Sequence, residues 1–217
     1  QRPDTQFHFV VARVEDHARS LHWGYGYSCH VCVLRPHSRG SVGLQSRDTL
    51  DAPLIDPAFL SDDRDTALMV EGAKKLRTIM QAPALQAYRG KEIYTADIQT
   101  DAQWETYIRQ RADTIYHPVG TCKMGAAHDL MAVVDPQLSV KGVAGLRVVD
   151  ASVMPTLVSG NTNAATVMLA EKAADEFLGN NFFGNVILAE PTSRPHGIAA
   201  LQGNKVCHWN AAHELHH

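Results

Sequence analysis

The sequence predicts an α+β fold in two successive parts. Residues up to about 114 read as antiparallel strands covered by helices, and residues 115–179 read as a returning strand, loop and helix. Three observations lead there: apolar runs on either side of a turn early in the chain, two capped helical stripes before residue 112, and a short β-branched run followed by an alanine-rich stretch after residue 145.

Residues 28–35 and 41–47 alternate or run apolar, and Pro36-His37-Ser38-Arg39-Gly40 between them supplies turn chemistry, which predicts a β-hairpin. Residues 54–60 follow as a loop. It ends at Ser61-Asp62-Asp63, whose short polar side chains can accept the first N–H groups of a helix. In that helix Met69, Ala73, Leu76 and Met80 fall at i, i+4, i+7 and i+11, one buried stripe, and Pro83 ends it. The methionines are core filling. Asp101 is placed to cap a second helix through Trp104, Tyr107, Ile108 and Arg111.

From residue 115 to 125 the helical period is lost and glycine appears, so the organisation changes near 114. Val133-Val134-Asp135-Pro136 comes next. Residues 145–150, bounded by glycine and rich in valine, read as a buried strand closed by Asp150. After a loop, residues 163–178 place Val167, Ala170, Ala174 and Phe177 on one face and Glu171, Lys172 and Asp175 on another, which predicts a helix. Residues 180–217 decay into Gly, Asn, Pro and His with short apolar islands at 186–188 and 198–201, and read as an irregular tail.

Composition narrows the function. The chain has 217 residues, 45% of them hydrophobic and 20% charged, with a formal charge of -3: an ordinary globular balance with no basic field for nucleic acid. Apolar runs are far shorter than the roughly 20 residues of a membrane span, and Gln1-Arg2-Pro3-Asp4 opens no signal peptide. A soluble protein is expected, with the cytoplasm favoured, and the absence of Met at position 1 predicts a piece or processed product of a longer chain. Four cysteines are too few for a disulfide scaffold. Cys29 and Cys32 have the spacing of half a zinc site, yet in a strand residues three apart point to opposite faces. His213-Glu214-Leu215-His216-His217 satisfies the zinc-peptidase pattern, but it occupies the last five residues, where no rigid helix can surround it, so no metal is expected.

Two segments can carry chemistry. Tyr116-His117-Pro118-Val119-Gly120-Thr121-Cys122-Lys123-Met124-Gly125 sets His117 immediately before a proline, which favours extended backbone there, and ahead of glycines that permit close approach. Such a loop either presents an imidazole to a ligand or is structural. Asp150 ends the predicted strand, and Asn161-Thr162-Asn163 opens the predicted helix, whose unpaired N–H groups and positive dipole end suit an anion or an electron-rich ring. The plainer alternative is that Asn161 and Asn163 only cap the helix.

His117 with its flanking loop, Val133-Val134-Asp135-Pro136, Gly145-Leu146-Arg147-Val148-Val149-Asp150-Ala151-Ser152 and Ser159-Gly160-Asn161-Thr162-Asn163-Ala164-Ala165-Thr166 through Asp175 together resemble the carboxy-terminal signature of the glucose-methanol-choline oxidoreductases. The likeness covers roughly residues 28–178, including weaker similarity of the first part to that family's substrate domain. It implies a substrate-binding portion over 1–114 and the returning segment of an α/β FAD-binding domain over 115–179.

The resemblance also implies FAD as cofactor and oxidation of a small alcohol, with a histidine at the position of His117 taking the hydroxyl proton while hydride passes to flavin N5. Asn161 matches the family's second active-site position and would hydrogen-bond the substrate oxygen. By the same match Tyr116 and His117 would lie beside the flavin, Asp150 and Ala151 near its ribityl-diphosphate chain, and Asn161, Thr162 and Asn163 at its pyrimidine edge. The strand-Gly-x-Gly-x-x-Gly-helix unit that holds the diphosphate is absent, so the resemblance implies a missing amino-terminal half as partner. Two further readings stay open: an inactive or accessory fragment, and a hydroxynitrile-cleaving lyase of the same family.

Overall fold

The structure, a computed structural model, describes residues 2–14, 24–178, 206–207 and 213–214. Its elements are β1 (Thr5–Val10), β2 (Gly26–Val33), β3 (Ser41–Gly43), β4 (Leu54–Asp56), α1 (Asp63–Met80), α2 (Asp101–Arg111), β5 (Asp113–Thr114), α3 (Asn163–Leu178), β6 (Val206–Cys207) and β7 (His213–Glu214). Single 3₁₀ turns occur at Pro83–Leu85 and Ala151–Val153. This is an α+β set whose sheets pair antiparallel. By proximity it forms two units: Gln1–Ser38 with Phe59–Tyr116 and Lys205–His217, and Arg39–Ala58 with His117–Asn204.

The first unit is organised by β2, buried at every residue. It pairs antiparallel with β1, from Thr5 opposite Val33 to Val10 opposite Ser28, and with β6 and β7. Alternation sends Tyr27, Cys29, Val31 and Val33 into one core with Met69, Ala73, Leu76 and Met80 of α1 and Trp104 and Ile108 of α2. Ser28, His30 and Cys32 occupy the other face, which separates Cys29 from Cys32 as the strand period requires. Buried Ser28 Oγ donates to Ala12 O at 2.7 Å and accepts from Val14 N at 3.0 Å.

The hairpin expected across residues 36–40 does not form. β2 takes β1 as its partner, and β3 pairs with β4, so residues 54–56 are strand where a loop was expected. The cause is the fully buried carboxylate of Asp65, which accepts from His37 N at 2.7 Å, Ser38 N at 2.8 Å and Ser38 Oγ at 2.6 Å. It draws the chain leaving β2 to the start of α1, where a local turn would have reversed it.

Both helices of this unit follow their sequence signals closely. Asp62 caps α1 by accepting from Arg64 N, and all four residues of the predicted stripe are buried. In α2 the cap is Thr100, one residue before the expected Asp101. Thr100 and Gln103 form a reciprocal capping box, which satisfies two backbone N–H groups where Asp101 would satisfy one.

In the second unit α3 spans the predicted residues but buries a different face. Ala173 is 2% exposed and sits with Val134, Leu138 and Val153 and against Leu169, whereas Ala165 packs on Val119, Met154 and Leu157. Val167 and Phe177, on the apolar face that the sequence places together, are 51% and 37% exposed. The small side chains of Ala165 and Ala173 allow the close approach, and the Phe177 ring instead receives the Arg147 guanidinium at 4.0 Å.

The strand expected at 145–150 is also absent. Residues 138–148 form an irregular hairpin, with Val140 N bonded to Leu146 O at 2.9 Å, Val148 N to Leu138 O at 3.1 Å, and Gly142 and Gly145 turning at positive φ. That pairing uses the backbone groups a ladder would need. The tail, expected to be irregular, contributes β6 and β7; the rest of 180–217, with both apolar islands, lies outside the described residues. Among the described residues no helix is long and apolar enough to cross a membrane.

Candidate active site

The glycine-containing loop after residue 116 is held by its backbone. Gly120 N and Cys122 N both donate to Ser152 O at 3.0 Å, and Met124 N donates to Val153 O at 2.8 Å. The acceptors belong to the Ala151–Val153 turn, which Asp150 caps by accepting from Ser152 N at 2.7 Å. Asp150 thus uses a carboxylate oxygen to build the turn while its residue stays exposed. Gly120 adopts φ 94°, a conformation open to glycine and strained for a side chain.

His117 begins the later segment of the second unit and is half-buried. Its Nδ1 lies 3.0 Å from Thr162 Oγ1, across 45 residues of sequence. Thr162 is 7% exposed, and its carbonyl accepts both Thr166 N at 2.9 Å and Thr166 Oγ1 at 2.8 Å in the first turn of α3. The two segments singled out from sequence therefore meet through a partly buried hydrogen bond. Non-glycine residues in the left-handed region precede both: Tyr116 at φ 61° and Ser159 at φ 63°. Such conformations cost free energy and collect at functional sites.

The other predicted residues divide. Asp150 and Ala151 line a cavity in the second unit of about 680 Å³, with Pro118, Gly120, Thr121, Cys122 and Ser152 beside them and Met131, Val133 and Val148 adding apolar wall. Asn161 and Asn163 are exposed and do not line it. Tyr116 closes the first unit, is 60% exposed, and donates through its N–H to Thr114 Oγ1 at 2.9 Å.

Gly40, Ser41 and Val42, which also line the cavity, were not singled out from sequence, because nothing local marks a residue brought in by a distant hairpin. Ser152 had a signal: an Asp two residues before it is the pattern of an Asx turn.

The charge beside the cavity loop is balanced. Lys123 Nζ binds Asp129 Oδ2 at 2.8 Å and holds that carboxyl below the usual range. Among the described residues no group of three His, Cys, Asp or Glu side chains is placed to hold a metal. The cavity has a mixed polar and apolar wall of the kind small ligands use, to which the histidine loop contributes Pro118, Gly120, Thr121 and Cys122, while His117 and Thr162 are not among its lining residues.

Comparison with known proteins identifies the family. Residues 36–170 match the family model described as GMC oxidoreductase. The chain is 50% identical over 175 residues to an alcohol dehydrogenase [acceptor] of Pseudomonas putida, covering 80% of this chain and 31% of the relative. It is 46% identical over 178 residues to the mitochondrial choline dehydrogenase of Homo sapiens, covering 82% and 30%. Among solved structures, pyridoxine 4-oxidase from Mesorbium loti superposes with a TM-score of 0.64 at 28% identity, over 78% of this chain and 37% of that one. The chain spans about a third of the length of the relatives it matches. It belongs to the GMC oxidoreductases and corresponds to their carboxy-terminal portion.

Proposed function

We propose that this chain supplies the proton-accepting side of an FAD-dependent oxidation of an alcohol CH–OH group. The observation that carries the reading is the hydrogen bond between His117 Nδ1 and Thr162 Oγ1, which brings the histidine loop and the start of α3 to one place in a member of this family. Relatives named alcohol dehydrogenase and choline dehydrogenase support a small aliphatic or polar alcohol as substrate.

His117 accepts the hydroxyl proton, a role suited to a neutral imidazole. Asn161, exposed at the approach to α3, hydrogen-bonds the substrate oxygen. When bound, FAD supplies the hydride acceptor, its N5. The residues present fit such a group: the cavity volume falls in the range of cofactor sites, and its wall sets Asp150, Thr121 and Ser152 beside Val133 and Val148. Asp150 and Ala151 would hold its ribityl-diphosphate chain, Tyr116 and His117 would lie beside the ring, and Asn161, Thr162 and Asn163 at the start of α3 would stabilise negative charge at its pyrimidine edge.

In this reading residues 1–114 are the substrate portion, 115–179 the returning flavin portion, and the Gly-x-Gly-x-x-Gly half that grips the diphosphate is supplied by an amino-terminal partner segment.

The test is anaerobic bleaching of flavin absorbance by a panel of primary alcohols and choline, in full-length protein containing this chain. Reduction by an alcohol is expected, with His117→Ala slowing it by about 100-fold or more. Full-length protein that binds FAD and is reduced by no alcohol would turn the assignment toward the lyase or inactive-scaffold reading.

A further inference from the structure

Short segments of the second unit lie side by side. Met124 bridges Val134, Val134 bridges Val140, and Ser139 bridges Arg147, so residues 147–149 are the last in the row. Val140 N donates to Leu146 O and Val148 N to Leu138 O, which makes Ser139 and Arg147 a pair that exchanges no bond of its own. In such a pair the N–H and C=O groups turn away from the partner, here to the outer edge. Backbone alternation brings those of Val149 to the same side. Among the described residues no main-chain hydrogen bond uses the N–H or C=O of Arg147 or Val149.

An open edge of this kind pairs with whatever strand meets it, and folded proteins guard it with lysine, proline or a bulge. Leu146-Arg147-Val148-Val149 has neither lysine nor proline. Its one charge is spent on the Phe177 ring at 4.0 Å and on Gln137 O at 2.6 Å. The helix that follows is also covered on one side only: Ala173 is buried, while Val167 and Met168 are 51% and 60% exposed. A strand that leads into a helix completes its layer by pairing with a strand reached through a long crossover. Each of β1 to β7 already pairs with another of these strands. The chain spans 31% of the alcohol dehydrogenase it matches and corresponds to the carboxy-terminal portion of its family, so the greater part of such a polypeptide precedes it.

We propose that the outer edge of residues 147–149 is a docking edge for a β-strand of the amino-terminal segment. The strand bonds to the main chain of Arg147 and Val149, and the same segment covers the Val167 and Met168 side of α3. Main-chain bonds supply the attachment and the apolar side of α3 supplies the selectivity. This rests on the reading that an amino-terminal segment completes the chain, and it states where that segment attaches.

The test uses full-length holoenzyme containing this chain. Hydrogen exchange read at single amides by mass spectrometry is expected to place Arg147 and Val149 within about tenfold of Val140 and Val148, whose amides are bonded inside the second unit. Exchange of Arg147 and Val149 at the rate of unstructured chain overturns the proposal. So does protection of these two amides that is lost, with Val140 and Val148 unchanged, on dilution or on deletion of residues 180–217, since the occupant would then be a second copy or the tail. With a diazirine analogue replacing methionine, Met168 is expected to cross-link to the amino-terminal segment. Links only to residues 180–217, or only between copies in a mixture of heavy and light protein, overturn it as well. Protected amides in a flavoprotein that no alcohol reduces would uphold the edge and reject the alcohol reading. Alcohol reduction with freely exchanging Arg147 and Val149 would reject the edge alone.

Discussion

The guanidinium carbon of Arg77 stands 4.4 Å from the centre of the Trp104 ring, joining α1 to α2 by a stacked cation. The same guanidinium donates to Ile98 O at 2.7 Å and to Thr95 O, and it pairs with Glu92 at 3.2 Å, both side chains being largely buried. A planar fork can stack and donate in several directions at once, which an ammonium cannot. Arg77→Lys is therefore expected to destabilise the chain by about 1–3 kcal/mol in urea unfolding, although it keeps the charge. A loss indistinguishable from zero would mean that the stacking and the carbonyl bonds contribute nothing net.

Gly72 sets two effects against each other. Alanine gains about 1 kcal/mol of helix propensity over glycine. A Cβ at this position would meet Val31 Cγ2 at 2.9 Å and Thr5 Cγ2 at 3.4 Å, and overpacking of this kind costs about 1–3 kcal/mol. Gly72→Ala should thus be net destabilising. Combining it with Val31→Ala should give less than the sum of the two single losses, as a double-mutant cycle would register.

Burial pushes the Cys29 thiol up to about 11. Folded chain keeps this proton while the unfolded thiol releases it from about pH 8.5, so the unfolded state binds fewer protons in that interval. The contribution is intact below the unfolded pKa and is lost as pH rises from there through the folded value. Unfolding free energies measured across this alkaline range should fall less steeply in Cys29→Val than in the parent chain.

The two faces of α3 make a sharp comparison. Ala173 is 2% exposed among Val134, Leu138 and Val153, and Val167 is 51% exposed. In this chain Ala173→Asn is expected to cost about 2 kcal/mol or more, because it adds volume and a buried amide. Val167→Asn should stay within about 0.5 kcal/mol. Thermal unfolding of the two variants distinguishes this face from the one that apolar periodicity selects.

What was legible in the sequence was local. Asp62 before an apolar stripe and the alanine-rich run from Asn163 announce helices through contacts within one or two turns. Strand partners are not local: β2 chose β1 because Asp65 captured His37 and Ser38, a bond spanning 27 and 28 residues. Thr5-Gln6-Phe7-His8-Phe9-Val10 did carry a period-two signal for β1, which the turn at Pro36 overshadowed.

The site divides in the same way. His117 and Asp150 stand out by their motifs, whereas the hydroxyl of Thr162 meeting a ring 45 residues away is a property of the folded chain. On α3 the apolar face of the sequence is not the one that packs, because alanines carry little weight in hydrophobic periodicity, yet small side chains such as Ala173 are what close helix packing selects.

The attachment of residues 120–124 to Ser152 and Val153 is made by main-chain atoms on both sides. Such a frame is indifferent to which side chains it carries. Thr121, Cys122 and Val133 can accordingly be exchanged to reshape the cavity while the rails that hold it stay in place, with little cost to the scaffold that presents His117.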